Sequence, residues 1–235
     1  MSKPMIIETK KVSKTYTDVG VPVKAVKDVD LTIKEGEFTA VVGPSGSGKT
    51  TLMNIISGLD SASEGEVYLK GKSLSEMSGT ALSDFRRDHI GFIFQAYNLI
   101  PVLTVEENIE YIMLLQRVPQ EERHQRVLKI LKQVGLEGFE NRKPPRLSGG
   151  QQQRVAVARA MVAQPDLILA DEPTANLDSE TGSQLLEMMR ELNEETGMTF
   201  IFSTHDPIVI DKARRVVTLK DGKVKDDDRA KKKKT

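Results

Sequence analysis

The stretch Phe38-Thr39-Ala40-Val41-Val42-Gly43-Pro44-Ser45-Gly46-Ser47-Gly48-Lys49-Thr50-Thr51 decides the fold. Phe38–Val42 is a short apolar run that reads as a buried strand. It empties into a glycine-rich loop that satisfies G-x-x-x-x-G-K-[ST] and then into a helix from Lys49 to about Ser57. Glycines let backbone N–H groups turn inward around a phosphate, and the helix points its positive end at the same place. Lys49 can reach the β- and γ-phosphates of a nucleotide, and Thr50 can offer its hydroxyl to Mg²⁺. A bare glycine loop can arise by accident, but here the strand before and the helix after supply the required context. The candidate phosphate-binding set is Gly43, Pro44, Ser45, Gly46, Ser47, Gly48, Lys49, Thr50 and Thr51.

A second apolar strand, Leu167-Ile168-Leu169-Ala170, runs into Asp171-Glu172. An aspartate at the carboxyl end of a neighbouring parallel strand sits beside the phosphate loop, where it can hold Mg²⁺ through water. Glu172 follows by one residue and is positioned to polarise an attacking water. Alone, such a pair is the solvated start of a loop; beside a phosphate loop it reads as metal ligand and base.

The remaining pattern is α/β. Met5 to Leu69 is rich in strands, with Val23–Ile33 set off by the turn Lys34-Glu35-Gly36. The middle is helical: after Pro119, residues Val127, Ile130, Leu131 and Val134 keep the i, i+3, i+4, i+7 spacing. From Leu167 strands and helices alternate again, with Leu185, Met188, Met189 and Leu192 as a second stripe, read as core, and Thr199–Ser203 as a strand. Val216–Lys220, Asp221-Gly222 and Lys223–Lys225 read as a closing hairpin. Residues 226–235 hold three acids, Arg229 and four lysines, and read as a solvated, disordered tail. Attraction to anionic lipid is the alternative for them.

Composition narrows the classes. The chain has 235 residues, 38% of them hydrophobic, which suits one large domain or one with an inserted lobe. The 34 basic and 34 acidic residues cancel, which argues against nucleic acid as a partner. With no cysteine, disulfides and thiolate metal sites are excluded. No apolar run approaches the roughly 20 residues of a spanning helix, and Met1–Ile7 lacks the pattern of a signal peptide. The expectation is a cytosolic chain, tethered only through a partner.

One further motif is Leu147-Ser148-Gly149-Gly150-Gln151-Gln152-Gln153-Arg154, a glycine pair at a helix start with Ser148 at the cap position. An ordinary N-cap looks similar, yet this is a second anion-binding helix end in a chain that already has a phosphate loop. With these motifs in this order from Met5 to Lys225, the chain resembles the ABC ATPase family, whose signature is LSGGQ.

The resemblance implies a P-loop NTPase (RecA-like) core with an antiparallel β subdomain and an inserted helical subdomain. Residues 5–95 and 165–225 would form the β-rich and RecA-like lobes, and about 96–164 the helical lobe. It implies an ATPase working with ATP and Mg²⁺. Glu172, His205, Lys49 and Gln95 would be catalytic, and Thr50, Gln95 and Asp171 would hold the metal. Tyr16 would stack on adenine. Ser148, Gly149, Gly150, Gln151 and Asp178 would meet ATP held by a second copy, head to tail. Among the three histidines only His205 leaves an apolar strand; His89 and His124 sit among charges and read as solvated.

Finer likeness points to the branch serving macrolide efflux and lipoprotein release (MacB and LolD types, FtsE as a cousin). It rests on Ile90–Gln95, Asn98–Pro101 and Leu103–Asn108, while Ala175 stands where that branch often has glycine. The implied partner is a permease on another chain, which would hold this one at the cytoplasmic face of the inner membrane. A rival is a regulator that signals through an FtsX-like membrane protein without moving solute. ABC ATPases of DNA repair or translation carry long insertions or two cassettes, for which there is no room between Gln95 and Leu147. The apolar connector Ala96–Leu103 is expected to place Tyr97 in a groove that receives the permease, with part of Leu99, Ile100 and Leu103 tucked into core.

Overall fold

The computed structural model describes residues 3–17 and 20–229. Strands β1 (Met5–Tyr16), β2 (Val23–Lys34), β4 (Glu64–Leu69) and β5 (Lys72–Ser73) make an antiparallel sheet in the order β2-β1-β4-β5. Strands β3 (Phe38–Val42), β6 (Ile90–Ile93), β7 (Leu167–Asp171), β8 (Thr199–Thr204), β9 (Arg215–Lys220) and β10 (Lys223–Arg229) make a larger sheet in the order β10-β9-β3-β8-β7-β6. All its pairs are parallel except the β9–β10 hairpin. The helices are α1 (Lys49–Ile56), α2 (Gly79–His89), α3 (Val105–Leu115), α4 (Gln120–Gln133), α5 (Gly149–Met161), α6 (Ser179–Thr196) and α7 (Pro207–Lys212). The class is α/β, as the strand and helix pattern predicts.

A parallel strand covered on both faces has no side to show to water, which explains the unbroken apolar runs. In β3, Phe38, Ala40 and Val42 join the core beneath α3 to α6, while Val41 joins the core around α1 and the small sheet. Strand β8 divides the same way, with Phe200 and Phe202 on one face and Ile201 on the other. The rings of Phe38 and Phe202 pack at 4.6 Å between centroids. Helix α1 buries Leu52, Met53, Ile55 and Ile56 in the second core, so the phosphate loop is anchored from behind.

The helical stretch is set by local signals. Thr104 and Glu107 form a reciprocal capping box at the start of α3. Buried Asn108 then ties down the preceding turn, accepting from Ile100 N at 2.8 Å and donating to the carbonyls of Ile100, Leu103 and Thr104. Val127, Ile130, Leu131 and Val134 are all buried, as their spacing predicts.

Three features depart from the sequence reading. Helix α2 was not expected; it buries only Phe85, so it shows no apolar stripe. The tail does not begin at residue 226, because β10 continues to Arg229; residues 230–235 lie outside the described residues. Strand β10 persists because Arg215, buried in β9, needs counter-charge. Its guanidinium donates to both oxygens of Asp227 at 2.7 Å, to Glu37 at 2.7 Å and to the Thr32 carbonyl at 2.6 Å. His89 and His124 are not simply solvated either: His89 Nδ1 lies 2.6 Å from Asp166, and His124 Nδ1 lies 2.6 Å from Glu106. The Glu106 bond pushes His124 above its ordinary pKa.

The bond to Arg215 holds the Asp227 carboxyl below the usual range. Its stabilisation is therefore complete above the ordinary aspartate pKa and is lost as pH falls through the lower folded value. Asp227→Ala should cost about 1–3 kcal/mol at pH 7, the penalty for an unsatisfied buried charge donor. Urea titrations at pH 7 and in acid should show the gap between variant and wild type closing in acid.

Candidate functional site

The parallel register delivers the site. Val42 pairs with Thr204 and Asp171 pairs with Ser203, so the chain leaves three adjacent strands at one level. Gly43, Glu172 and His205 emerge there side by side. They border a cleft of about 630 Å³ lined by Ala25, Pro44, Ser45, Gly46, Gly48, Lys49, Thr50, Thr51, Gln95, Asp171, Glu172, Ala175, Ser203 and His205. Such a crevice beyond the carboxyl ends of the strands is where open α/β sheets bind ligands.

The loop has no space for side chains at two of its glycines. A Cβ on Gly48, whose φ is 100°, would lie 2.4 Å from the Ala25 carbonyl. One on Gly43 would lie 2.1 Å from the Leu219 carbonyl. The closing hairpin backs the loop directly, with Gly222 N donating to Ser47 O at 3.1 Å. Lys49 Nζ lies across the loop and donates to the carbonyls of Gly43 at 2.8 Å and Pro44 at 3.2 Å. Buried Ser47 Oγ and Ser203 Oγ have no hydrogen-bond partner among the described residues. A loop of inward amides, an ammonium and a helix N-terminus can hold a chain of phosphates.

Glu172 is held under strain. Its φ is 45°, a left-handed conformation that costs a non-glycine residue about 1–2 kcal/mol. Both carboxylate oxygens are taken: Oε2 accepts from Thr204 Oγ1 at 2.9 Å, and Oε1 lies 2.5 Å from His205 Nδ1. The carboxylate is largely buried while the histidine is 75% exposed, so the pair stands at the mouth of the cleft. A further layer braces it. Thr204 Oγ1 accepts from Asp206 N at 3.0 Å, and Thr174 Oγ1 donates to Asp206 Oδ2. Fully buried Gln153 of α5 donates to the Pro173 carbonyl at 2.8 Å.

Thr50, Gln95 and Asp171 share the cleft wall and offer a hydroxyl, an amide and a carboxylate, the hard oxygen donors that suit Mg²⁺. Among the described residues no group of three or more His, Cys, Asp or Glu could hold a metal. A cation there would need phosphate oxygens to complete its shell.

Other predicted residues lie outside the cleft wall. Tyr16 donates its hydroxyl to Asp60 at 2.8 Å, and Lys14 holds the other Asp60 oxygen at 2.5 Å. Burial first, and then the Asp60 bond, raises the Tyr16 pKa. Ser148 caps α5 in a capping box with Gln151 and is exposed. The two glycines after it pack internally: a Cβ on Gly150 would lie 2.6 Å from the Thr181 methyl, and one on Gly149 3.0 Å from the Tyr97 hydroxyl. Asp178 caps α6 by accepting from Thr181 N at 2.9 Å. None of Ser148, Gly149, Gly150, Gln151 or Asp178 reaches the phosphate-loop cleft of its own chain.

A second groove, about 240 Å³ in volume, runs between the end of β6 and helices α3 and α5, with Phe92, Phe94, Asn98, Tyr111, Ile112 and Arg159 in its wall. Tyr97 does not line it, contrary to expectation. Its hydroxyl turns toward the Asn176 carbonyl, 3.5 Å away. Leu99 packs against the helical core, whereas Ile100 is exposed. Ala25, Ala175 and Ser203 were missed as cleft residues, and none carries a local signal that could have revealed it.

A family model described as ABC transporter matches residues 26–175. An uncharacterized ABC transporter ATP-binding protein of Methanocaldococcus jannaschii, MJ0796, is 48% identical over 223 residues, 93% of this chain and 95% of that protein. The macrolide export ATP-binding/permease protein MacB of Escherichia coli is 45% identical over 219 residues, 93% of this chain but 34% of MacB. A dimeric structure of the MJ0796 cassette in a post-hydrolysis state, bound to ADP and Pi, matches with a TM-score of 0.87 at 46% identity. It covers 96% of this chain and 99% of that one.

Gly48→Ala forces a methyl onto the Ala25 carbonyl at a left-handed position. Strain of about 1–3 kcal/mol should weaken binding of a fluorescent ATP analogue by about 5- to 150-fold. Titration of the folded variant checks this; an unchanged affinity would mean the loop does not need its present path.

Proposed function

The chain belongs to the ABC transporter family, and from that premise we propose that it is the ATP-hydrolysing cassette of a system of the macrolide-export and lipoprotein-release type. The observation that carries the reading is Glu172, held left-handed at the rim of the phosphate-loop cleft with both oxygens oriented by Thr204 and His205. Positive φ recurs at loop positions elsewhere in the chain; Glu172 combines it with a place in the cleft wall and two held carboxylate oxygens.

In this reading the amides of Gly43–Thr51 and the Lys49 ammonium bind the β- and γ-phosphates. Thr50, Asp171 and Gln95 would hold Mg²⁺, which would offset charge on the phosphate oxygens. Glu172 accepts a proton from a water whose oxygen bonds to the γ-phosphorus as the bond to the bridging oxygen breaks, leaving ADP and phosphate, and His205 contacts the γ-phosphate. Tyr16, braced through its hydroxyl by Asp60, offers its ring to the base. Ser148, Gly149, Gly150, Gln151 and Asp178 serve the cleft of a second copy, since they lie outside their own. That arrangement is supported by the dimeric form of the related MJ0796 cassette. Two copies placed head to tail would enclose two equivalent sites.

Glu172→Gln should slow hydrolysis by about 10²- to 10⁴-fold while ATP still binds. With ATP it should elute as a dimer from a sizing column, and adding Ser148→Arg should return it to monomer without loss of ATP binding. Near-normal turnover would remove Glu172 from the role of base, and a persistent dimer would place the interface elsewhere.

The membrane partner is proposed to dock at the groove beside β6. No helix of the described residues is long and apolar enough to cross a membrane. The groove wall is mainly apolar, and exposed Tyr111, Leu114 and Leu115 extend it along α3. These features suit a short apolar helix of a permease at the cytoplasmic face of the membrane. Tyr111→Asp should reduce co-purification with the membrane fraction while leaving ATP affinity unchanged. Retention equal to wild type would move the docking surface away from this groove.

A further inference from the structure

The loop leaving β6 carries two consecutive left-handed residues, Tyr97 with φ 59° and Asn98 with φ 49°. Asparagine tolerates that region through local hydrogen bonding, but tyrosine does so rarely. Something outside the loop must hold this path. Asn176 Nδ2 donates to the Gln95 carbonyl at 2.8 Å and fixes one end. From α5, Arg159 donates Nη2 to the Tyr97 carbonyl at 2.8 Å and Nη1 to the Asn98 carbonyl at 2.6 Å. No carboxylate among the described residues pairs with Arg159, and burial lowers its pKa. A half-buried cation is thus committed to two adjacent peptide carbonyls. The guanidinium serves them through two different nitrogens held at a fixed spacing, which a single ammonium nitrogen lacks.

We propose that Arg159 is the positioning residue for Gln95, its guanidinium holding the Tyr97 and Asn98 carbonyls so that the loop presents Gln95 to the phosphate cleft. The two strained residues follow Gln95 almost at once, so a change of path there swings the Gln95 side chain directly. Arg159 shares its helix with the Ser148 cap, so the same rigid element sets both Gln95 and the residues offered to a second copy. It does not line the phosphate-loop cleft. The inference rests on the reading of Gln95 as a Mg²⁺ contact.

The test uses Arg159→Met and Arg159→Lys in the full chain, with two readouts that do not require turnover. One is amide hydrogen exchange at residues 96–99 without nucleotide. The other is the gain in affinity for a non-hydrolysable ATP analogue when Mg²⁺ is added. Arg159→Met should speed exchange there by about tenfold and reduce the Mg²⁺-dependent gain by a similar factor, with Mg²⁺-free affinity unchanged. Arg159→Lys, which offers one nitrogen without the fixed spacing of the fork, should fall between. Wild-type exchange and Mg²⁺ response in Arg159→Met would overturn the inference alone. A fall in melting temperature and Mg²⁺-free affinity, with the Mg²⁺ gain intact, would overturn it in favour of a purely structural role. A wild-type chain whose affinity does not respond to Mg²⁺ would remove the Gln95 reading and this inference together.

Discussion

Both faces of the large sheet must be dry, and most of the molecule follows from that requirement. Strands β3, β7 and β8 lie in the middle of the sheet, where their apolar side chains face one core or the other. Parallel pairing is the arrangement that helices can cover on both sides. It also brings the carboxyl ends of those strands to one edge. The phosphate loop, the Asp171-Glu172 pair and His205 are neighbours because three apolar runs are neighbours. The chemistry is polar, but its placement is governed by hydrophobic burial.

Around that edge the polar groups are braced in layers. Thr204 orients Glu172, Asp206 orients Thr204, and Thr174 orients Asp206. Gln153 and Arg159 extend α5 toward the two loops that flank the cleft, one after Glu172 and one after Gln95. The helix that begins with Ser148 is therefore in hydrogen-bond contact with both. Movement of its first turn cannot be independent of the carboxylate or the amide.

Legibility in the sequence followed the range of the signal. The phosphate loop, the Asp171-Glu172 strand end and the Ser148 cap are local strings whose residue types are dictated by backbone geometry, and each lies where its string predicts. The two apolar helical stripes were visible for the same reason, because burial imposes a period. Helix α2 was hidden, since one buried phenylalanine makes no period. Asp226–Asp228 are exposed, yet they continue β10 rather than a disordered tail, because the charge that holds Asp227 sits on buried Arg215 across the hairpin. His89 and His124 were misread alike: the carboxylates that pair with them are distant in sequence. Nothing in the sequence near Arg159 marks the carbonyls it serves, which lie 61 and 62 residues away.

The hairpin of β9 and β10 forms the back wall of the phosphate loop, with the Leu219 carbonyl against Gly43 and Gly222 N on Ser47. That wall is separated from the loop by most of the chain, so the site has high contact order. During synthesis the glycine loop leaves the ribosome long before residues 215–222 exist. Until they arrive, its two apolar flanks, β3 and α1, lack one of their covering surfaces. The nascent cassette thus holds its phosphate loop without its rear support, and for that interval protection from aggregation falls to whatever shields exposed apolar strands in the cell. The loop gains its full backing only when the β9–β10 hairpin closes behind it.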